Sequence, residues 1–112
     1  MPQFIDLKHE ALQSEDGEFV FGSQQTGSNA CYMIYGVLNP SEKGRLVKPG
    51  RGHEEMVLAV TADLEVSGQV SGRLPKGHAF HIVGDQTAYL ANPGDSEAIY
   101  VISGGHSGHG HH

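Results

Sequence analysis

The chain has 112 residues, with seven Lys and Arg against 13 Asp and Glu and a formal charge of −6. A single domain of this length buries roughly two-thirds of its unfolded surface and leaves no room for a second, and the acidic balance excludes a phosphate-tracking nucleic-acid surface, which needs Lys and Arg. With 16 Gly, 38% apolar and 18% charged residues, the composition is one of short strands and many turns, not of long helices or disorder. Small molecules, metal ions or proteins are the candidate partners.

Cys31 is the one cysteine. No intramolecular disulfide forms, and its place in the apolar run 30–38 predicts a buried structural thiol. No apolar stretch approaches the roughly 20 residues of a membrane span, and the opening Met-Pro-Gln-Phe has no basic and apolar leader, so a cytoplasmic protein is expected. Asn39-Pro40-Ser41 carries the proline that forbids glycosylation.

In chain order, residues 3–12 have room for a helical turn or two, but Phe4, Ile5, Leu7 and Leu12 fall at spacings that fit neither regular period, and they read as an N-terminal arm. Asp16-Gly17 turns the chain into a strand over 18–22. The Gly-, Ser- and Asn-rich segment 22–29 reads as a loop whose Gln24-Gln25-Thr26 is placed to line a mouth. CYMIYGVL, Cys31–Leu38, is the strongest strand, ended by Asn39-Pro40-Ser41. Strands then alternate with turns over 44–48, 55–61, 64–67 and 68–77. The stretch GHAFHIVGDQTAYLAN, 77–92, organises the rest: Ala79–Val83 and 87–91 read as two strands joined by a tight Gly84-Asp85 turn. The last strand is predicted over 98–103, and Gly104-Gly105 releases the chain into a flexible His-rich end, 106–112. No amphipathic helical pattern persists for ten residues. About eight strands in this length define an all-β, antiparallel sandwich or barrel.

Residues 30–103 resemble the small single-domain cupins, a jelly-roll family with two sequence motifs. The second motif runs glycine, five residues, proline, one residue, glycine, two residues, histidine, three residues, asparagine. Gly77 and Asn92 fall at its ends, with Val83, Asp85 and Ala88 standing for the proline, glycine and histidine. The first motif ends with two histidines one apart, three or four residues, a glutamate, six residues and a glycine. Glu55 takes the glutamate place when Ala62 stands for the glycine, and VLAVTADLEVSG reads like the strand pair that follows. His53, two residues before Glu55, lies outside the family's histidine slots, so only Glu55 lands on a metal-ligand position. The resemblance implies a cupin-like barrel over 1–105 with the tail 106–112 appended. It further implies an interior that holds a divalent metal or a small organic ligand, and a homodimer. Members include dioxygenases, isomerases, epimerases, sugar-binding regulators and storage proteins, so the fold does not choose a function.

The residues themselves offer a metal site. His53 and Glu55 are two apart, so on a strand they point to one face, about 6.6 Å apart along it. Imidazole and carboxylate suit Zn, Ni, Fe or Mn, and His81 is the candidate third ligand; His78 has the opposite parity. The plainer alternative makes His53 a turn residue, Glu54 and Glu55 a solvated strand start, and His81 a histidine bonded to backbone. His53-Glu54 is no zinc-protease motif, because Val57 stands where the second histidine is needed. His106, His109, His111 and His112 bind Ni, Cu or Zn as a native tail or as a purification remnant, and a native tail can lend a ligand at the barrel mouth.

No nucleophile is indicated, since Cys31 has no histidine near it in sequence. An enzyme of this kind would hold a keto acid, hydroxy acid or enediol on its metal, with Glu55 ligating or moving a proton. Tyr32, Tyr35 and Tyr89 are candidates to position such a substrate, with core packing expected for at least two of them. Two other readings stand beside the metal-binding barrel. One is a metal-free binding or regulatory module, suggested by Ala88 and Arg51 where ligands would be expected; the other is a structural subunit.

Overall fold

The computed structural model describes residues 4–107. It contains α1 (Leu7–Gln13), β1 (Glu18–Phe21), α2 (Ser23–Thr26), β2 (Cys31–Leu38), β3 (Arg45–Val47), β4 (His53–Ala59), β5 (Leu64–Gly68), β6 (Gly72–Leu74), β7 (Ala79–Val83), β8 (Ala88–Ala91) and β9 (Ala98–His106). The strands form two antiparallel sheets in the orders β1-β2-β9-β4-β7 and β3-β8-β5-β6. Strict alternation builds the interior. Along β4, Glu55, Val57 and Ala59 are buried while Met56 and Leu58 are exposed; along β9, Ala98, Tyr100, Ile102 and Gly104 point inward. With Leu38, Val47, Leu64, Leu74, Ile82 and Leu90 they make one core between the sheets. No helix among the described residues is long and apolar enough to cross a membrane.

One expectation is sharpened and two are corrected. The N-terminal arm contains a helix: Asp6 caps α1 by accepting from the His9 amide, and Ala11 is buried where α1 packs on β1 and β2. Ala79–Val83 and the strand after it do not pair. β7 joins β4 in the first sheet and β8 joins β3 and β5 in the second, so Gly84-Asp85 is a corner between sheets. That corner is tied to the turn before His53, since the Gly84 amide donates to the His53 carbonyl at 2.9 Å and the Gly50 amide to the Gly84 carbonyl at 2.9 Å. Finally, β9 does not stop before Gly104-Gly105. Gly105 pairs with Cys31 and Glu54, and His106 pairs with His53.

Asn92 explains the last position of the second motif. It is buried, its amide donates to the carbonyls of Leu38, Asn39 and Ser96, and its carbonyl accepts from the Gly94 amide. It holds the crossing from β8 to β9 against the end of β2. Ala88, at the motif's histidine place, points into the apolar core.

Candidate functional site at the open end

The inner face of the five-stranded sheet carries the same device twice. Tyr100 on β9 lies over Gly36 of β2, where a Cβ would meet its ring at 2.0 Å, and its hydroxyl donates to Glu18 on β1. Tyr32 on β2 lies over Gly104 of β9, where a Cβ would meet its ring at 2.4 Å, and its hydroxyl donates to Glu55 Oε2 on β4 at 2.5 Å. In both, a glycine makes room for a tyrosine that spans one strand to reach a carboxylate on the next.

The units differ in what completes them. Arg45 Nη1 donates to the Tyr100 hydroxyl at 2.7 Å, while Nη2 donates to Glu42 at 2.9 Å and to the Val37 carbonyl at 3.1 Å. Its side chain is 10% exposed, and Nη1 lies 4.0 Å from Glu18 Oε2. No Lys or Arg reaches Glu55 in the same way. Burial raises its carboxyl above the ordinary range, against the opposing effects of the Tyr32 hydroxyl and the nearby His53 ring. Burial, with the hydrogen bond to Glu55, also raises the Tyr32 phenol.

At the same end of the sheet stand two imidazoles, His53 two residues before Glu55 on β4 and His106 opposite His53 on β9. The rings of His53 and His106, on paired positions of β4 and β9, have centroids 4.8 Å apart, and Tyr32 presents its ring to His53 at 6.1 Å. Each is anchored by one nitrogen to a backbone carbonyl: His53 Nδ1 to Arg51 at 3.3 Å and His106 Nε2 to Asn29 at 2.8 Å. A carbonyl only accepts, so in the neutral rings His53 Nε2 and His106 Nδ1 keep their lone pairs. The rings border a cavity of about 400 Å³ lined also by Val20, Ser23, Cys31 and Tyr32, with no Lys or Arg in its wall. A larger groove of about 510 Å³ crosses the outer face of the second sheet between Lys43, Glu65, Arg73 and Tyr89. It has no buried polar group, and its Arg73 is already paired with Asp63.

His53 and Glu55 share the inner face, with His53 half-buried and Glu55 5% exposed. His81 does not join them. The register sets Ile82 opposite Glu55, which turns His81 outward beside Met56, where its Nε2 meets Glu54 Oε1 at 2.7 Å. His106, expected in a flexible tail, is the strand residue that stands next to His53 instead. His109, His111 and His112 lie outside the described residues. Cys31 is exposed, contrary to its expected burial, because it begins β2 with the opposite parity to Tyr32. Of the three candidate tyrosines, Tyr32 and Tyr35 are half-buried and Tyr89 is 41% exposed, while the fully buried tyrosine is Tyr100. Gln24 and Gln25 line a neighbouring pocket that shares Val20, Gly22 and Ser23 with the histidine cavity, and Gln25 accepts from the Gly22 amide.

The two histidines offer a divalent ion a partial donor set. Two imidazole nitrogens have free lone pairs, and among the described residues Glu55 Oε1 has no hydrogen-bond partner. Among the described residues, however, no three His, Cys, Asp or Glu side chains are gathered closely enough to enclose an ion. The arrangement is two imidazole nitrogens at a cavity that Glu55 does not line.

No family model matches the sequence, and no curated protein matches it either. Solved structures do match. A protein from Thermus thermophilus superposes with a TM-score of 0.68 at 17% identity over 94% of this chain and 98% of its own. The cupin domain of Schizosaccharomyces pombe Cnp3 gives 0.61 at 11% identity over 70% of this chain and 54% of its own. A recombinant oxalate oxidase in complex with glycolate gives 0.72 at 17% identity, over 92% of this chain but 59% of the oxidase. The fold is that of a small cupin-like domain, an antiparallel jelly-roll barrel.

Proposed function

We propose that this cupin-like barrel binds a divalent transition-metal ion at its open end, through His53 Nε2 and His106 Nδ1. The observation that carries the reading is the pair of imidazoles 4.8 Å apart, each held by a backbone carbonyl in the tautomer that leaves one nitrogen free. Such outer hydrogen bonds orient metal-binding histidines. The oxalate oxidase likeness, at 17% identity, supports the barrel and not its activity. A bound ion would supply Lewis acidity; the chain supplies the two nitrogens and a 400 Å³ cavity for a small oxygenated ligand.

The test is calorimetric titration with Zn²⁺ of the full-length chain carrying His109→Ala, His111→Ala and His112→Ala, which removes competition from the tail. One equivalent should bind, and His53→Ala or His106→Ala should each lower affinity by more than the roughly 10–100-fold that loss of a supporting residue costs. His81→Ala should change nothing. Unchanged affinity in both His53→Ala and His106→Ala would leave a metal-free binding module as the reading.

A further inference from the structure

The outer face of the five-stranded sheet has a relief and a charge of its own. Strand pairing sets Met33 of β2, Ser103 of β9 and Met56 of β4 in one row, with Tyr35, Val101 and Leu58 in the next. Met56 is 56% exposed and stands with Leu58 as an apolar ridge along β4. Beside that ridge the outward positions of β9 shrink from Val101 through Ser103 to Gly105, which leaves a furrow between Met56 and Met33. α1 packs on β1 and β2, and the ridge on β4 stays exposed. The outward positions of β4, β7 and β9 hold two ionisable side chains, Glu54 and His81, and these bond each other at 2.7 Å. In a chain of formal charge −6, these three strands thus present no unpaired acid on this face.

We propose that this face is the contact between two copies of the chain, the Met56–Leu58 ridge of each seated in the β9 furrow of the other. Ridge and furrow lie on neighbouring strands, about 4.8 Å apart. A two-fold axis running between them along the strands exchanges the two, so one surface supplies both halves of the fit, as an isologous contact requires. A different protein would need its own matching ridge and furrow; a second copy has them by construction. Charge selects the same occupant. Two chains of −6 repel in most orientations, and least through the face whose one acid is already bonded to a histidine. Met33, Met56, Leu58 and Val83 leave roughly 300 Å² of apolar surface exposed, the size of patch that marks an interaction site. It falls at the small end of specific interfaces, and a dissociation constant in the micromolar range is expected. The metal reading concerns inward side chains of the same sheet, so either can fail without the other.

The test is sedimentation equilibrium of the full-length chain and its variants. The 12.0 kDa chain should reach twice its mass within the micromolar range. Met56→Glu puts a carboxylate on the ridge and Ser103→Glu puts one in the furrow. Each should raise the dissociation constant by more than about 30-fold, as loss of a central contact residue does. Both positions are exposed, so circular dichroism should show an unchanged fold. Leu46→Glu, at an apolar position 52% exposed on the second sheet, should leave the dimer intact. An equimolar mixture of Met56→Lys and Ser103→Glu chains should associate more tightly than either alone, because the ridge lysine of one meets the furrow glutamate of the other. A monomer at every concentration overturns the proposal and leaves the face to a different partner. A dimer that survives both Met56→Glu and Ser103→Glu, or that Leu46→Glu abolishes, overturns it as well, since the contact then lies elsewhere. So does a mixture that associates no better than its components.

Discussion

The two tyrosine–glycine–carboxylate units stand on one sheet face and differ in a single component. At Glu18 the chain provides its own cation, and Arg45 joins β1, β2, β3 and β9 through Glu18, Val37 and Tyr100. At Glu55 no Lys or Arg among the described residues arrives, and the two imidazoles and a cavity lie at the same end of the barrel. The first arrangement is complete and serves stability. The second holds a buried carboxylate whose burial opposes its ionised form, a cost that a binding site bears and a structural one does not need.

Substitutions at equivalent positions separate the roles. The largest effect is expected from Gly36→Ala, whose Cβ would overlap the buried Tyr100 ring and expel it from Glu18 and Arg45; roughly 3 kcal/mol of stability should be lost in denaturant unfolding. Arg45→Met should cost about 2–3 kcal/mol, because it leaves Glu18, Glu42 and Tyr100 without their partner in a nearly closed site. Gly104→Ala, the counterpart of Gly36→Ala, should cost only about 1 kcal/mol, since the half-buried Tyr32 can swing into the open end.

Glu55→Gln should reverse the sign. The Glu55 carboxyl is raised above 4.5 in the folded chain. The proton it binds more tightly when folded therefore stabilises fully below that value, and the benefit disappears as pH rises through the folded value. At pH 7 the glutamine variant should melt at or above the parent temperature, and the gap should close below pH 4.5. A lower melting temperature at pH 7 would assign Glu55 to the structural class of Glu18.

Much of the barrel is legible in sequence because alternation is local. Cys31–Leu38 and Ala79–Val83 are bounded as their β-branched and apolar residues predict, and a spacing of two suffices to put His53 and Glu55 on one face. What is hidden depends on partners distant in the chain. His81 faces away from Glu55 because the β4–β7 register sets Ile82 opposite it, and parity within one strand cannot give the register between two. The glycines of β9 look like breakers because the residue that needs their smallness, Tyr32, lies on β2. One signal was available: Ala98, Tyr100, Ile102, Gly104 and His106 keep a period of two without a break, which carries the strand to its histidine. Arg45 gave no such signal, as its partners are Glu18 and Tyr100 and no charge pattern in sequence joins them.

The most direct test of the open end as the cation site is to follow the imidazole ring resonances by NMR as Zn²⁺ is added to the full-length chain with its three tail histidines replaced. The account predicts that His53 and His106 shift together and saturate at one equivalent, while His9, His78 and His81 stay in place. Saturation at His81, or no coupled change at His53 and His106, would contradict it.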